Sequence, residues 1–260
     1  MEKITSRRNP LCIHMKKLGA SRGYREEHGE FLCDGIKLLE EAVKSGADVT
    51  NVLTATHVPF PLPLDTRVFY TERGIIDSVS PLKNAQEVLL TCKIPEKDVL
   101  TEINGTYILL DGVQDPGNAG AIIRTADAFG IKGVILTGAC ADVYNPKTIR
   151  ASMGAIFRQN VSGMIFEELA RLRENGARFV GTLPGQGRRP ISEASLSDSI
   201  IAIGSEGAGL SDKVISLCCE NITIPIAPQC ESLNAAIAAA IIMWEATRRG
   251  REASATPVES

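Results

Sequence analysis

Three stretches of the chain concentrate residues that could do chemistry. Each reads as an apolar strand, a turn and the start of a helix: DGVQDPGNAGAIIRTADAFG (111–130), IAIGSEGAGLS (201–211) and ITIPIAPQCESLNAAIAAAI (222–241). In the first, Gly117 and Gly120 permit a tight turn and close backbone approach. Ile122, Ile123, Ala126 and Phe129 can pack on a sheet, which leaves Arg124 on another face in the first turns of the helix. A guanidinium near the positive end of a helix suits an anion. A plain loop or a dinucleotide turn would have the same outline, although the spacing G-x-G-x-x-G is absent. In the second, Gly204, Gly207 and Gly209 run in the wrong order for a dinucleotide fingerprint, and no Gly-Lys-Ser/Thr follows, which excludes a P-loop. The carboxylate there, Glu206, could hold an arginine or face a cationic ligand. In the third, Pro225 and Pro228 stiffen the exit from the strand, and Ser232 or Asn234 begins a long helix. Helix capping is the ordinary role of Ser and Asn at such positions.

These residues need a scaffold, and the second part of the chain supplies a regular one. Strands are predicted at 107–113, 133–138, 158–163, 178–183, 199–204 and 222–226, and helices around 119–129, 147–155, 166–175, 211–219 and 232–249. Strands alternating with helices imply βαβ units, a parallel sheet and right-handed crossovers. Ligands of such sheets bind beyond the carboxyl ends of the strands, where the three stretches lie. In the last helix Ile237, Ala240, Ile241 and Trp244 form a stripe predicted to be buried. The first 95 residues read as a smaller α/β unit. Asn9-Pro10 starts a helix with Leu11, Met15 and Leu18 on one face, and FLC (31–33) is a strand. Asp34 is placed to cap a helix bearing Ile36, Leu39 and Val43, which Gly46 stops; further strands are predicted at 49–56, 67–71 and 87–92. The division is then an N-terminal domain (1–95), a linker (96–106), a C-terminal domain (107–250) and a disordered tail (251–260).

Composition narrows the class. The chain is 44% apolar and 23% charged, ordinary for a globular protein with a real core. No apolar run approaches the ~20 residues of a membrane helix, and the charged N-terminus does not read as a signal peptide. A cytoplasmic location is the expectation. Seven scattered cysteines without a C-x-x-C pair, and three histidines confined to the first quarter, suggest neither disulfides nor a metal. The net charge of −3 argues against nucleic acid. The distribution argues for it: residues 3–25 carry Lys3, Arg7, Arg8, Lys16, Lys17, Arg22 and Arg25 and no acid. Such a run can neutralise several phosphates, with salt-sensitive binding, or can be a solvated helix face.

Taken together, NAGAIIRTA (118–126), GSEGAGLS (204–211) and Pro225 followed by SLNAAIAAA (232–240) resemble the three motifs of the SpoU branch of the SPOUT RNA methyltransferases. NPKTIRASMGAIFR (145–158) is similar to an intervening segment of that family, and the front end resembles its RNA-binding domain, related to a class of ribosomal proteins. The resemblance implies an α/β fold in which a small ribosomal-protein-like domain precedes a parallel-sheet SPOUT domain with a deep trefoil knot. It implies a homodimer through the C-terminal domain, S-adenosyl-methionine as cofactor, and 2'-O-ribose methylation of RNA, more readily ribosomal than transfer RNA. It assigns Arg124, Asn118, Glu206, Ser232 and Asn234 to catalysis, and Thr182, Leu183, Gly204, Ile224 and Leu233 to the cofactor. Arg7, Arg8, Lys16, Lys17, Arg22, Arg25 and Arg150 are the RNA-contacting set. The chain departs from the pattern at Asp34-Gly35, often Glu-Gly, and at PLKNAQEVLL (81–90), where Pro-Gln-Gly is usual. A fold that binds RNA without methylating it, and a dinucleotide oxidoreductase, are the competing classes.

Overall fold

A computed structural model describes residues 2–96, 100–185 and 187–255, with side chains through residue 248. The chain forms two compact units: Met1–Glu96 together with Asp142–Arg158, and the rest.

The first unit runs β1 (Glu2–Lys3), α1 (Pro10–Ala20), α2 (Arg22–His28), β2 (Glu30–Asp34), α3 (Ile36–Lys44), β3 (Val49–Thr54), β4 (Arg67–Tyr70), α4 (Arg73–Val79) and β5 (Val88–Lys93). Its sheet has the order β1-β4-β3-β5-β2, with β5 antiparallel to both neighbours. Asn9 accepts the Leu11 N–H at 2.9 Å and Pro10 opens α1. Ser21, the single residue between the helices, then caps α2. Cys12, Met15 and Leu18 of α1 join Leu32, Leu53, Ile76 and Leu89 in one core. Asp34 does not cap α3. Ser80 donates to its carboxylate, as does the Gln86 N–H at 2.7 Å, so Asp34 ties the strand end to the loop before β5. Gly35 follows at φ +132°, where a Cβ would meet the Gln86 side chain at 2.3 Å. The face of α3 is also turned: Leu38, Leu39 and Ala42 are buried, whereas Ile36 and Val43 are only partly so.

Residues 142–158, which sequence order places in the second half, pack within this unit. They form a helix over Pro146–Ser152 and a 3₁₀ turn over Ala155–Phe157. Tyr144 and Phe157 stack on Phe31, at centroid distances of 4.7 and 6.2 Å. Arg25 lies beneath, 3% exposed, donating to the Leu18 carbonyl and the Asp142 carboxylate. It is therefore a structural cation and not the RNA contact that the basic run suggested. Its guanidinium is consumed in holding the partly buried carboxylate of Asp142. Arg25→Ala should cost about 3–5 kcal/mol, because it leaves Asp142 uncompensated. Chemical denaturation measures this, and a loss under 1 kcal/mol would contradict the role.

With the Pro146–Ser152 helix of the first unit counted as α6 in chain order, the second unit runs β6 (Tyr107–Asp111), α5 (Pro116–Phe129), β7 (Gly133–Thr137), β8 (Val161–Gly163), α7 (Phe166–Glu174), β9 (Phe179–Thr182), β10 (Arg189–Pro190), β11 (Ile200–Gly204), α8 (Asp212–Leu217), β12 (Glu220–Thr223) and α9 (Ala235–Ala255). All seven strands pair in parallel in the order β10-β12-β9-β11-β6-β7-β8. The central strands are buried on both faces, which is why they read as unbroken apolar runs. Leu109, Ile135 and Ala202 face Leu169, Leu172, Val214 and Leu217 of α7 and α8. Helix α9 packs against α5 and β11. From β12, near one edge of the sheet, the chain returns to α9, which lies against α5.

The stripe predicted to be buried in α9 is not. Ile237, Ile241 and Trp244 are 54%, 37% and 49% exposed, Ala240 is partly exposed, and Ala235, Ala239, Ile242 and Met243 face the interior. The helix is apolar nearly all round, so its spacing allowed two stripes. The one with the alanines permits closer approach to α5. Helix α9 also continues to Ala255, into the expected tail; residues 256–260 lie outside the described ones.

Candidate active site

The junction of the three chemical stretches is built from loop geometry. Asp115 caps α5, accepting the Asn118 N–H at 2.7 Å, and Pro116 fixes the first turn. Asn118 thereby sits at the start of the helix, just beyond β6. In the neighbouring strand the register pairs Gly204 with Asp111. After Gly204 the chain closes on itself: Ser205 and Gly209 exchange backbone hydrogen bonds of 3.1 and 3.0 Å. A Cβ at Gly204 would lie 2.0 Å from the Gly209 carbonyl carbon, so the loop itself demands that glycine. Asp111 accepts the Ser211 N–H at 2.6 Å, locking the loop to the end of β6. Nothing in the chemical reading of the sequence singled out Asp111. Its signal was a carboxylate closing a fully apolar strand.

Three side chains then meet. The Asn118 amide donates to the Glu206 carboxylate, and the Asn118 oxygen accepts from the Asn234 amide at 3.1 Å. The Asn234 oxygen accepts the N–H groups of Ala236 and Ile237 at 2.9 and 3.3 Å. Asn234 therefore caps α9 and also reaches Asn118.

Beside this junction lies a cavity of about 430 Å³, within the usual range for small-molecule sites. Thr182, Leu183, Gly204, Ile224 and Leu233 all line it, as do Glu206 and Ser232. Its walls are largely aliphatic, with Ile203, Leu210 and Ile242 behind. The Thr182 hydroxyl donates to the Ala202 carbonyl at 2.7 Å, which fixes this side chain of the wall. The sequence reading missed Arg188, a cation lining the cavity from the glycine-rich turn after β9. Such a site can hold a ligand with a flat apolar part and charged ends. The nearby thiol of Cys140 is no nucleophile: burial pushes its ionisation up, and it donates to the carbonyls of Leu110 and Thr137.

Arg124 stands apart. It is exposed on α5, does not line the cavity, and makes no hydrogen bond to Glu206, Asn118 or Asn234. Of the two roles open to Glu206 in the sequence, holding this arginine is not the one seen within one chain. Glu206 is engaged by Asn118 instead.

In the first unit Arg7, Arg8, Lys16, Lys17 and Arg22 are exposed. Arg7 donates weakly to the Gly74 carbonyl at 3.4 Å, Arg22 pairs with Glu26, and Arg150 donates to the Asn84 carbonyl at 3.1 Å. Apart from Arg25, the basic set remains at the surface of the unit that carries it.

The SpoU rRNA Methylase family profile matches residues 105–244, and an MRM3-like substrate binding domain matches residues 1–90. The chain is 33% identical over 252 residues to the 23S rRNA (guanosine(2553)-2'-O)-methyltransferase RlmP of Bacillus subtilis, covering 94% of this chain and 98% of that protein. It is 31% identical to a 23S rRNA (uridine(2479)-2'-O)-methyltransferase of Streptomyces viridochromogenes, covering 95% and 92%. The crystal structure of the SpoU methyltransferase AviRb from the same organism, in complex with AdoMet, superposes with a TM-score of 0.82 at 28% identity, over 94% of this chain and 99% of that one.

Proposed function

The chain belongs to the SpoU rRNA methylase family, and we propose that it transfers the methyl group of S-adenosyl-methionine to a ribose 2'-hydroxyl of RNA, with large-subunit ribosomal RNA as the substrate. The observation that carries this reading is the convergence of the three motifs, through Asn118, Glu206 and Asn234, at the edge of one aliphatic cavity.

The residues present fit the cofactor. Leu183, Ile224 and Leu233 offer apolar surface to an adenine, backbone around Gly204 and Leu210 can approach it, and Glu206 sets a carboxylate in a site meant for a sulfonium cation. When bound, S-adenosyl-methionine supplies an electrophilic methyl group. The chain's task is to orient the hydroxyl in line with that group, and orientation can be worth on the order of 7–11 kcal/mol. A guanidinium does not deprotonate in proteins, so Arg124 is no base. It clamps the RNA phosphate beside the target ribose, and that phosphate or a water accepts the proton.

A second copy of the chain accounts for the two unfinished features of the second unit. Arg124 is an exposed cation without a hydrogen-bond or ion-pair partner among the described residues, and Ile237, Ile241 and Trp244 present an exposed apolar stripe beside Phe129, whose ring lies 5.9 Å from that of Trp244. Apolar patches of this kind mark interfaces. A homodimer through α5 and α9 would cover the stripe and bring groups of the partner to Arg124. Trp244→Glu should then turn a dimer into a folded monomer in analytical ultracentrifugation, and remove most activity. A wild-type chain that sediments as a monomer at micromolar concentration rules the arrangement out.

The substrate assignment rests on the names of the relatives and on the basic face of the first unit. Its test is to map 2'-O-methyl positions in total RNA with and without the gene. Loss of one site in large-subunit ribosomal RNA is the expected outcome; loss in transfer RNA would redirect it, and no change would refute the activity. The cytoplasm is the corresponding location. No helix among the described residues is long and apolar enough to cross a membrane, and none of them form a His, Cys, Asp or Glu cluster that could hold a metal.

A further inference from the structure

In the first unit, α1 and α2 bring together an aromatic cluster that the methyl-transfer reading does not use. The rings of Tyr24 and His28, one helical turn apart, stack at 3.9 Å with an interplanar angle of 26°. His14 approaches both, at 5.6 Å from Tyr24 and 5.4 Å from His28. The Lys17 ammonium lies 5.3 Å from the centre of the Tyr24 ring.

The cluster is held in place by directed bonds. His14 Nε2 is 2.8 Å from a Glu30 carboxylate oxygen, and its Nδ1 is 3.0 Å from the Tyr24 hydroxyl. His28 Nδ1 lies 3.1 Å from the Tyr24 carbonyl. A carbonyl only accepts, so Nδ1 carries the proton and the imidazole plane is set. Tyr24 leans on the hydrophobic core, whereas the His28 side chain is 35% exposed. One ring of the stack is thus anchored, and the next is turned to solvent with its orientation already fixed.

We propose that the outer face of His28, backed by Tyr24, is a stacking subsite for an unpaired base of the RNA substrate. This rests on the reading of the chain as an RNA enzyme and adds which part of the RNA the first unit grips. Unpaired bases are held by stacking on aromatic and histidine rings, whereas paired bases are not available to such a surface. A pre-set ring loses little freedom on binding, which favours affinity. A base on the platform would make the preferred substrate an RNA with a loop, a bulge or a single strand.

The test uses the full-length protein and two RNA probes: a twelve-nucleotide single strand carrying 2-aminopurine, and the same strand annealed to its complement. Wild type should bind the single strand with quenching of 2-aminopurine. His28→Ala should weaken single-strand binding by about tenfold and abolish the quenching, in line with the loss of one base-on-ring contact. Its affinity for the duplex should not change. His28→Tyr, which restores a flat ring, should recover both binding and quenching, and Tyr24→Phe, which keeps the ring and loses only the hydroxyl, should stay near wild type. Thermal melting checks that each variant is folded. Unchanged binding by His28→Ala, or equal weakening toward strand and duplex, overturns the subsite, as does a wild type that binds the strand without quenching. Methyl transfer to ribosomal RNA, assayed separately on the wild type, tests the underlying activity. A chain that binds and quenches but does not methylate would remove the activity and leave the subsite standing.

Discussion

Arg124→Ala should lower methyl transfer by a factor on the order of 10²–10³ or more, the scale seen when one preorganised charge is removed from an active site, while leaving the affinity for S-adenosyl-methionine within about twofold. The two halves of this expectation come from one geometric fact. Arg124 does not line the cavity, so the cofactor loses nothing when it is cut back. Its guanidinium is exposed and uncommitted to Glu206, Asn118 or Asn234, so it is available to an anion arriving from outside. Arg124→Lys should be nearly as poor, because an ammonium cannot offer the planar fork that holds two phosphate oxygens. Single-turnover methylation with labelled cofactor, alongside calorimetric cofactor binding, separates the effects. Activity within tenfold of wild type would remove Arg124 from the mechanism, and a parallel collapse of cofactor affinity would move it into the cavity.

Gly204→Ala should weaken cofactor binding by the opposite route, through the loop and not through charge. The added methyl would sit 2.0 Å from the Gly209 carbonyl carbon and 2.3 Å from the Leu210 nitrogen, both backbone atoms without freedom to rotate away. The exchange of hydrogen bonds between Ser205 and Gly209 must open, carrying Glu206 and Leu210 out of the cavity wall. We expect a rise in the dissociation constant on the order of 100-fold, equivalent to about 2.8 kcal/mol. Overpacking should also cost about 1–3 kcal/mol of stability. Gly207→Ala is the control: a Cβ there meets nothing within 4 Å, so stability should be unchanged. Equal cofactor affinity in Gly204→Ala and wild type would show that the loop does not shape the site.

The same comparison shows which parts of the molecule were legible beforehand. Asn9-Pro10 announced α1 because cap and turn signals are local: a few neighbouring residues decide them. The parallel sheet was legible for the same reason, since strands buried on both faces are written as short apolar runs between helices. The fate of Ile237, Ile241 and Trp244 was not. An apolar spacing says that a helix has something to bury, but not which of two stripes meets α5 and which is left outside. Arg25 was misplaced likewise. A cation in a basic run looks like its neighbours until a carboxylate 117 residues away, Asp142, arrives over it.

The chain's order alone determined that three glycine- or proline-marked strand ends exist and that each carries one or two residues fit for binding. Their chemistry follows from residue type and from the strand-to-helix turns, both set within about ten positions. Only the tertiary structure decided that the ends lie side by side, that Asn118 spends its amide on Glu206 and its oxygen on Asn234, and that Arg124 is left facing outward. It also decided that residues 142–158 pack within the first unit although they lie between two strands of the second. These are outcomes of long-range pairing, in which strand order and helix phase select among partners that local sequence leaves equivalent.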